Sequence, residues 1–276
     1  VHKSSKSTRC VNMSEIPVLS SEGKEVLRTS LPWFMAFTPD RTLVKRVFFL
    51  LFSGWHQPQG RDPMAGKRYT AKSWGADHGL ARVPRLHSGK AIFAPTTVKG
   101  RITHPPRAEK VIVKKVNKKE KAKALLFAIA ATSSKKLVVE RGHKVPDSLT
   151  LPIFFDSSVS NFTKASQVKK FLENIGLSEE LKRVKNIKLR AGVSARRGRE
   201  KKRKVGPLFV VTKEEPIFKA AKNIPGVDVI DVNLLSLREL APNGKVGRLT
   251  LWSQKALEVL EQRVRKYAEK VSVVVS

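Results

Sequence analysis

Apolar residues recur at helical spacing in several stretches of this chain and run unbroken in others. Across residues 38–55, Leu43, Val47, Phe48, Leu51 and Trp55 fall on one face, the mark of an amphipathic helix. Thr38 suits its cap, Pro39 its first position and Asp40 the positive end of its dipole; near Gly54 the pattern stops. A second helix is predicted over Asn117–Ala131, with Lys121, Ala124, Leu125, Ala128 and Ile129 on its face, and a third carries Phe162, Ala165, Val168, Leu172 and Ile175. Others are predicted near Pro216–Lys222 and after a Ser253 cap, where Leu257, Leu260, Val264 and Tyr267 align. Between them stand short apolar runs: Lys136–Glu140, Leu149–Phe155, Pro207–Val211, Val227–Val232 and Gly247–Trp252. Short, fully apolar strands alternating with helices predict an α/β fold, a largely parallel sheet flanked by helices. No internal repeat is evident.

Two stretches carry no period at all. From Gln57 to Pro106 glycine and proline are scattered among Arg61, Lys67, Arg68, Lys72, Arg82, Arg85, Lys90, Lys99 and Arg101, and Arg107 follows. The only acids there are Asp62 and Asp77. A structureless loop of this length inside a compact domain is rare unless it has a function or is disordered. At about 3.3 Å per residue, a there-and-back excursion reaches at most ~80 Å, so the segment reads as an arm. The second stretch, Lys182–Lys204, has one acid, Glu200, among Lys188, Arg190, Arg196, Arg197, Arg199, Lys201, Lys202, Arg203 and Lys204. The expected organisation is a leader over residues 1–15 and one α/β domain over 16–276, interrupted by the loop 57–106 and the basic insertion 182–204.

Charge turns this pattern into a functional expectation. The formal net charge is +32 and the pI near 10.6; such an excess repels itself in the folded state, which points to a polyanionic partner, nucleic acid first. Apolar runs such as Val47–Phe52 and Ala124–Ala131 are too short to span a bilayer, and no signal-peptide pattern opens the chain, so a cytoplasmic protein with no membrane partner is expected. The single cysteine, Cys10, leaves no internal disulfide or cysteine metal cluster. It sits in a polar leader, Val1–Asn12, that reads as disordered, with Met13 a candidate start.

Several motifs suggest chemistry and fail on inspection. Gly60–Lys67 resembles a phosphate-binding loop, but five residues separate its glycines and Arg68 stands where a metal-holding Ser or Thr belongs. Ser133 and Lys136 have an acyl-transfer spacing without its companion motifs, and a helix C-terminus with favourable cations accounts for them. His56, His78, His87 and His104 are too widely spaced for a compact metal site. The acid pairs Glu179–Glu180 and Glu214–Glu215 suit predicted helix starts. No cofactor and no catalysis are expected. The basic stretches are more than solvated charge runs: both are internal, both are rich in Arg, and the arm interleaves Tyr69, Trp74, Ile92 and Phe93, which can stack on splayed bases or fill RNA grooves. RNA contacts are therefore expected from the cations named above, with Trp74, His78, His87 and His104.

GRDPMAGK (Gly60–Lys67), SWGADHGLARVPR (Ser73–Arg85), VNKKEKAKAL (Val116–Leu125), RGHKV (Arg141–Val145), KNIPGVDV (Lys222–Val229) and APNGKVGRLTLWSQKALEVLE (Ala241–Glu261) occur in this order. In these motifs the chain, from Ile16 to Glu261, resembles the large-subunit ribosomal protein four (L-four) family in its archaeal and eukaryotic form. The resemblance implies an α/β domain on the ribosome and a long internal loop threaded through large-subunit rRNA. It also implies a loop tip, here Trp74–Arg85 with Arg82 and Arg85 foremost, that helps line the nascent-peptide exit tunnel. The partners it implies are rRNA, neighbouring large-subunit proteins and the nascent peptide, with no homo-oligomer expected. Lys188–Lys204 corresponds to a basic insertion of such members. Where relatives carry a Gly-Lys-Gly-Lys-Met-Arg-like string, this chain has Gly192-Val193-Ser194-Ala195-Arg196-Arg197, which keeps charge and loses glycine.

A DNA-compacting protein would share the charge, but such proteins use short basic faces suited to a regular duplex. An RNA-modifying enzyme would need a cofactor motif, and none was found.

Overall fold

The computed structural model describes residues 15–271, with side chains through Lys266. The leader therefore lies outside the described residues, as do the candidate start Met13 and the side chain of Tyr267; only Glu15 of the leader is seen, opening the first strand. By its internal contacts the chain forms two units: residues through Leu50 joined with those from Lys115 onward, and Leu51–Lys114.

The first unit is built on a six-stranded sheet. Its strands are β1 (Glu15–Leu19), β2 (Glu25–Ser30), β3 (Ile153–Phe155), β6 (Leu208–Val211), β7 (Asp228–Asp231) and β8 (Thr250–Ser253), in the order β2-β1-β3-β8-β6-β7. A separate pair, β4 (Lys188–Leu189) and β5 (Lys201–Lys202), is antiparallel. In the main sheet only β1 and β2 are antiparallel; β1–β3, β3–β8, β8–β6 and β6–β7 are parallel. The expected α/β class, with a largely parallel sheet, is what forms. Every residue of β3, β6 and β8 is buried, as strands covered on both faces require.

Ten α-helices occur among the described residues. They are α1 (Arg41–Leu51), α2 (Lys118–Ala130), α3 (Lys135–Arg141), α4 (Ser157–Ser160), α5 (Ala165–Asn174), α6 (Ser178–Lys185), α7 (Val193–Arg196), α8 (Ile217–Ala220), α9 (Leu237–Leu240) and α10 (Gln254–Val271). Helix α5 buries Val168, Phe171 and Leu172 into a core with Phe155, Phe209, Val211 and Leu251. Each such side chain contributes roughly 1.5–3 kcal/mol of transfer free energy. In α2 the Asn117 side chain accepts from the Lys119 amide at 3.0 Å, a cap that fixes its start.

Four expectations change. The first helix starts at Arg41, not near Thr38, because the Asp40 carboxylate accepts the amides of Thr42 (2.8 Å) and Leu43 (3.2 Å); at its far end it gives way to a 3-10 turn, Ser53–Trp55. The run Lys136–Glu140 is not a strand but lies in α3. Ser134 precedes that helix and Gly142, at φ 102°, stops it, so Lys135 and Lys136 begin a helix rather than end one. The stretch 182–204 is not irregular throughout, since residues to Lys185 belong to α6. There Glu179 and Glu180 open the helix and Lys182, Arg183 and Lys185 close it, both favourable to the helix dipole. Finally, Glu215 is more than a helix-start acid: it is buried and accepts hydrogen bonds from Thr212 (2.9 Å) and Ser253 (2.8 Å).

Candidate nucleic-acid interface

The second unit, Leu51–Lys114, holds no strand longer than an isolated bridge, and beyond Trp55 no helix. It is a doubled path. At its root the Lys114 amide donates to the Ser53 hydroxyl at 3.0 Å, and further out the Arg61 amide donates to the Pro106 carbonyl at 3.1 Å. At Gly66 the limbs are so close that a Cβ would stand 2.8 Å from the Arg101 backbone. Beyond that, Arg85 bridges Lys72 and Ala91, its amide donating to the Lys72 carbonyl at 3.0 Å. The tip turns through positive φ at Gly75 (89°), Asp77 (65°) and Gly79 (62°). A Cβ at Gly75 or Gly79 would meet nothing within 4 Å, so glycine serves there for backbone conformation, not for space.

Ile92 is the one buried apolar side chain of this unit. Arg61, Lys67, Arg68, Lys72, Trp74, His78, Arg82, His87, Lys90, Lys99, His104 and Arg107 are all exposed, while Arg85 and Arg101 are half-buried. Arg68 pairs with Asp62, whose carboxyl that hydrogen bond holds below its usual range. This turn and ion pair occupy the segment that resembled a phosphate loop. Arg85 is a brace: its guanidinium donates to the carbonyls of Gly89 (2.8 Å) and Ala81 (3.4 Å), cinching the return turn and leaving Arg82 as the tip's outward cation. Trp74 and His78 meet edge to face at 6.2 Å. Among the described residues no three His, Cys, Asp or Glu side chains gather as a metal site.

In the first unit the basic insertion forms a hairpin. Lys188–Leu189 pair with Lys201–Lys202, the Arg190 amide donates to the Glu200 carbonyl at 2.8 Å, and α7 fills the turn between Gly192 (φ 68°) and Gly198 (φ 73°). Lys188, Arg190, Arg196, Arg197, Arg199, Lys201, Lys202, Arg203 and Lys204 are all exposed.

The hairpin's base shows what the sequence reading missed. Glu180, fully buried, receives Arg183 at 2.7 and 2.6 Å, His143 Nδ1 at 2.7 Å and the Lys144 amide at 3.0 Å. Arg183 also donates to the Val205 carbonyl at 2.7 Å, tying the helix before the hairpin to the strand limb after it. Burial by itself would raise the Glu180 carboxyl; the hydrogen bonds from Arg183, His143 and Lys144 outweigh it and hold the group at about 2. Burial lowers His143, against the pull of Glu180, so its ring is neutral and donates from Nδ1 to the carboxylate. Arg248 is a buried cation, bonded to the carbonyls of Gly206 (3.0 Å) and Glu239 (2.8 Å) and to Asp228.

The chain matches the sequence model of the Ribosomal protein L4/L1 family over residues 30–263. It is 43% identical over 252 residues to the large ribosomal subunit protein uL4 of Saccharolobus islandicus, covering 90% of this chain and 94% of that protein. To the protein of the same name from Sulfurisphaera tokodaii it is 44% identical over 249 residues, 89% of this chain and 93% of that one. For that from Sulfolobus acidocaldarius the identity is 41% over 252 residues, 90% and 94% of the two chains.

Proposed function

The chain belongs to the Ribosomal protein L4/L1 family, and we propose that it binds large-subunit rRNA through the arm 57–106 and the hairpin 188–204, with the arm's tip reaching toward the nascent-peptide exit tunnel. As a member of this family it is a structural constituent of the large ribosomal subunit and not an enzyme. Its place is the cytoplasmic ribosome, among rRNA and other ribosomal proteins.

One observation carries the reading: the arm presents its cations outward along two tied limbs and buries a single apolar side chain. A segment with so little core does not offset its own ordering entropy, so a partner must supply the free energy. Phosphates do so through counterion release, and folded RNA offers the irregular grooves and unstacked bases that Trp74, His78 and Phe93 suit. Contact of the tip, Trp74–Arg85, with the nascent peptide belongs to the same proposal and rests on the resemblance of that motif.

The test is co-sedimentation with large subunits through a high-salt gradient, beside a variant lacking Trp74–Arg85. The full chain is expected to stay bound, and the variant to assemble with an altered tunnel. Release of the full chain into the soluble fraction, or a preference for duplex DNA over structured RNA, would overturn the proposal.

A further inference from the structure

In the first unit, the loop after α9 folds down on α1 and α3 and leaves a cavity of about 250 Å³. Its seating allows no slack. Gly244 sits at φ +70°, and a Cβ there would stand 3.2 Å from Lys45 Cα; at Gly247, φ +84°, a Cβ would come within 2.6 Å of the Leu137 carbonyl oxygen. Arg141, at the end of α3, reaches under the loop and donates to the carbonyls of Lys245 and Pro242, the latter at 3.3 Å.

The cavity wall carries four cations, Arg41, Lys45, Arg141 and Lys245, against one carboxylate, Glu140. That carboxylate is already taken: Arg41 grips it in a fork at 2.7 and 2.8 Å. Among the described residues, Lys45, Lys245 and Arg141 have no ion pair, and Arg141's hydrogen-bond partners are neutral carbonyls. Burial, then the like charges of Arg248 and Arg183, pull the Arg141 guanidinium down to about 10. A part-buried cation beside other cations is costly when nothing opposes it, and an anion in the cavity would relieve that cost.

We propose that this cavity binds one phosphate of the RNA backbone, giving the sheet-bearing unit a contact separate from the arm and the hairpin. The inference rests on the RNA reading above and extends it to residues outside both basic stretches. Chemistry selects the ligand. The volume admits a phosphate group with part of its flanking sugar, and the lining has no aromatic side chain on which a base would stack. Lys45 and Lys245 are exposed at the mouth, where a continuous backbone can pass, while Arg141 supplies a guanidinium at the wall.

The test uses the full chain with Lys45→Ala and Lys245→Ala together, leaving Arg141 in place because it seats the loop. Binding to large-subunit rRNA is measured from about 50 to 300 mM salt, beside the variant lacking Trp74–Arg85. Losing one neutralised phosphate should reduce the slope of log K against log salt by about 0.7–0.9 and weaken binding roughly four- to fivefold near 0.15 M. Should the pair lower the melting temperature, Lys245→Gln alone, at an exposed position, is expected to shift the slope in the same direction. An unchanged slope while the arm deletion still weakens binding overturns the cavity and leaves the arm's role intact. If neither variant changes binding, the RNA reading itself fails. Inorganic phosphate serves as a second probe of the free chain. If it raises the melting temperature through these lysines while the RNA slope stays fixed, the cavity is a free-anion site and the backbone assignment is wrong.

Discussion

Glu180→Gln removes one charge from a fully buried site, and its cost can be worked from the structure. The carboxylate accepts four hydrogen bonds, two from Arg183, one from His143 and one from the Lys144 amide. These hold its folded pKa at about 2 against a usual 4.5, a gap that corresponds to about 3 kcal/mol of stability. Because the folded value is depressed, that contribution is fully present above the unfolded pKa and is lost as pH falls through the folded one. Glutamine keeps the shape but leaves Arg183 without its counter-ion and sets an amide against donors. The expected loss at pH 7 is about 2–4 kcal/mol, or roughly 5–15 °C in Tm for a domain of this size. Denaturant unfolding of the free chain across pH reads it directly. Wild type should converge on the variant as pH drops from about 4.5 toward 2 and its own carboxylate begins to take up a proton. His143 adds an earlier step. Burial depresses its pKa below 6.5, so its contribution begins to fall as pH drops below that value, and His143→Gln should abolish this part of the curve. A Glu180→Gln protein within about 0.5 kcal/mol of wild type at pH 7, the ordinary range of a neutral surface change, would refute the reasoning. So would a gap that stays constant down to pH 2.

Three further outcomes follow from the same geometry. Arg248→Met should cost about 2–4 kcal/mol in chemical unfolding; most of that comes from the carbonyls of Gly206 and Glu239 left without donors, since Asp228 is 61% exposed and water screens it. Arg248→Lys should recover only part, because an ammonium lacks the planar fork. Limited proteolysis of the free chain should cut first between Gln57 and Pro106, where Ile92 is the one buried apolar side chain; equal protection of arm and core would count against the arm's dependence on RNA. Gly66→Ala should speed cleavage within the arm, because φ is +78° and the new Cβ would strike the Arg101 backbone at 2.8 Å. Gly75→Ala, with a similar φ but open space, should have the smaller effect; equal rates would deny the close approach of the limbs.

The sequence pattern revealed whatever one environment dominates. Strands β3, β6 and β8 are covered on both faces, so they are written as apolar runs and could be read as such. Strand β2 lies at the sheet edge with Val26 and Leu27 exposed at 62% and 55%, shows no alternation, and escaped notice together with β1. Helix α3 reads as a strand in the sequence because Val138 and Val139 favour strands locally, while Gly142 and the burial of Leu137 and Val138 decide for a helix. The arm was legible through its lack of period, and its exposed cations are where charge alone places them. Arg85 is the instructive exception, a cation spent on neighbouring carbonyls. The Glu180–Arg183–His143 cluster left only a faint trace, an acid and a base three residues apart on a helix; that spacing ordinarily marks a solvated surface pair, and only tertiary contact brings His143 to it.

The internal position of both basic stretches has a physical consequence. A tail must be ordered from one fixed end, whereas a loop has both ends held, and lengthening it is cheap, about 0.6 kcal/mol of closure entropy for each doubling. Holding the ends is then the structural task, and the chain meets it at each stretch. Arg46 on α1 pairs with Glu120 on α2 at 2.5 Å, joining the helices that flank the arm in sequence, and the Lys114–Ser53 hydrogen bond closes its root. At the hairpin, Arg183 bound to Glu180 and Val205 serves the same end. At the hairpin the anchoring charge is buried, so, on the RNA reading proposed above, Glu180→Gln is expected to weaken RNA binding through the hairpin that Glu180 and Arg183 steady.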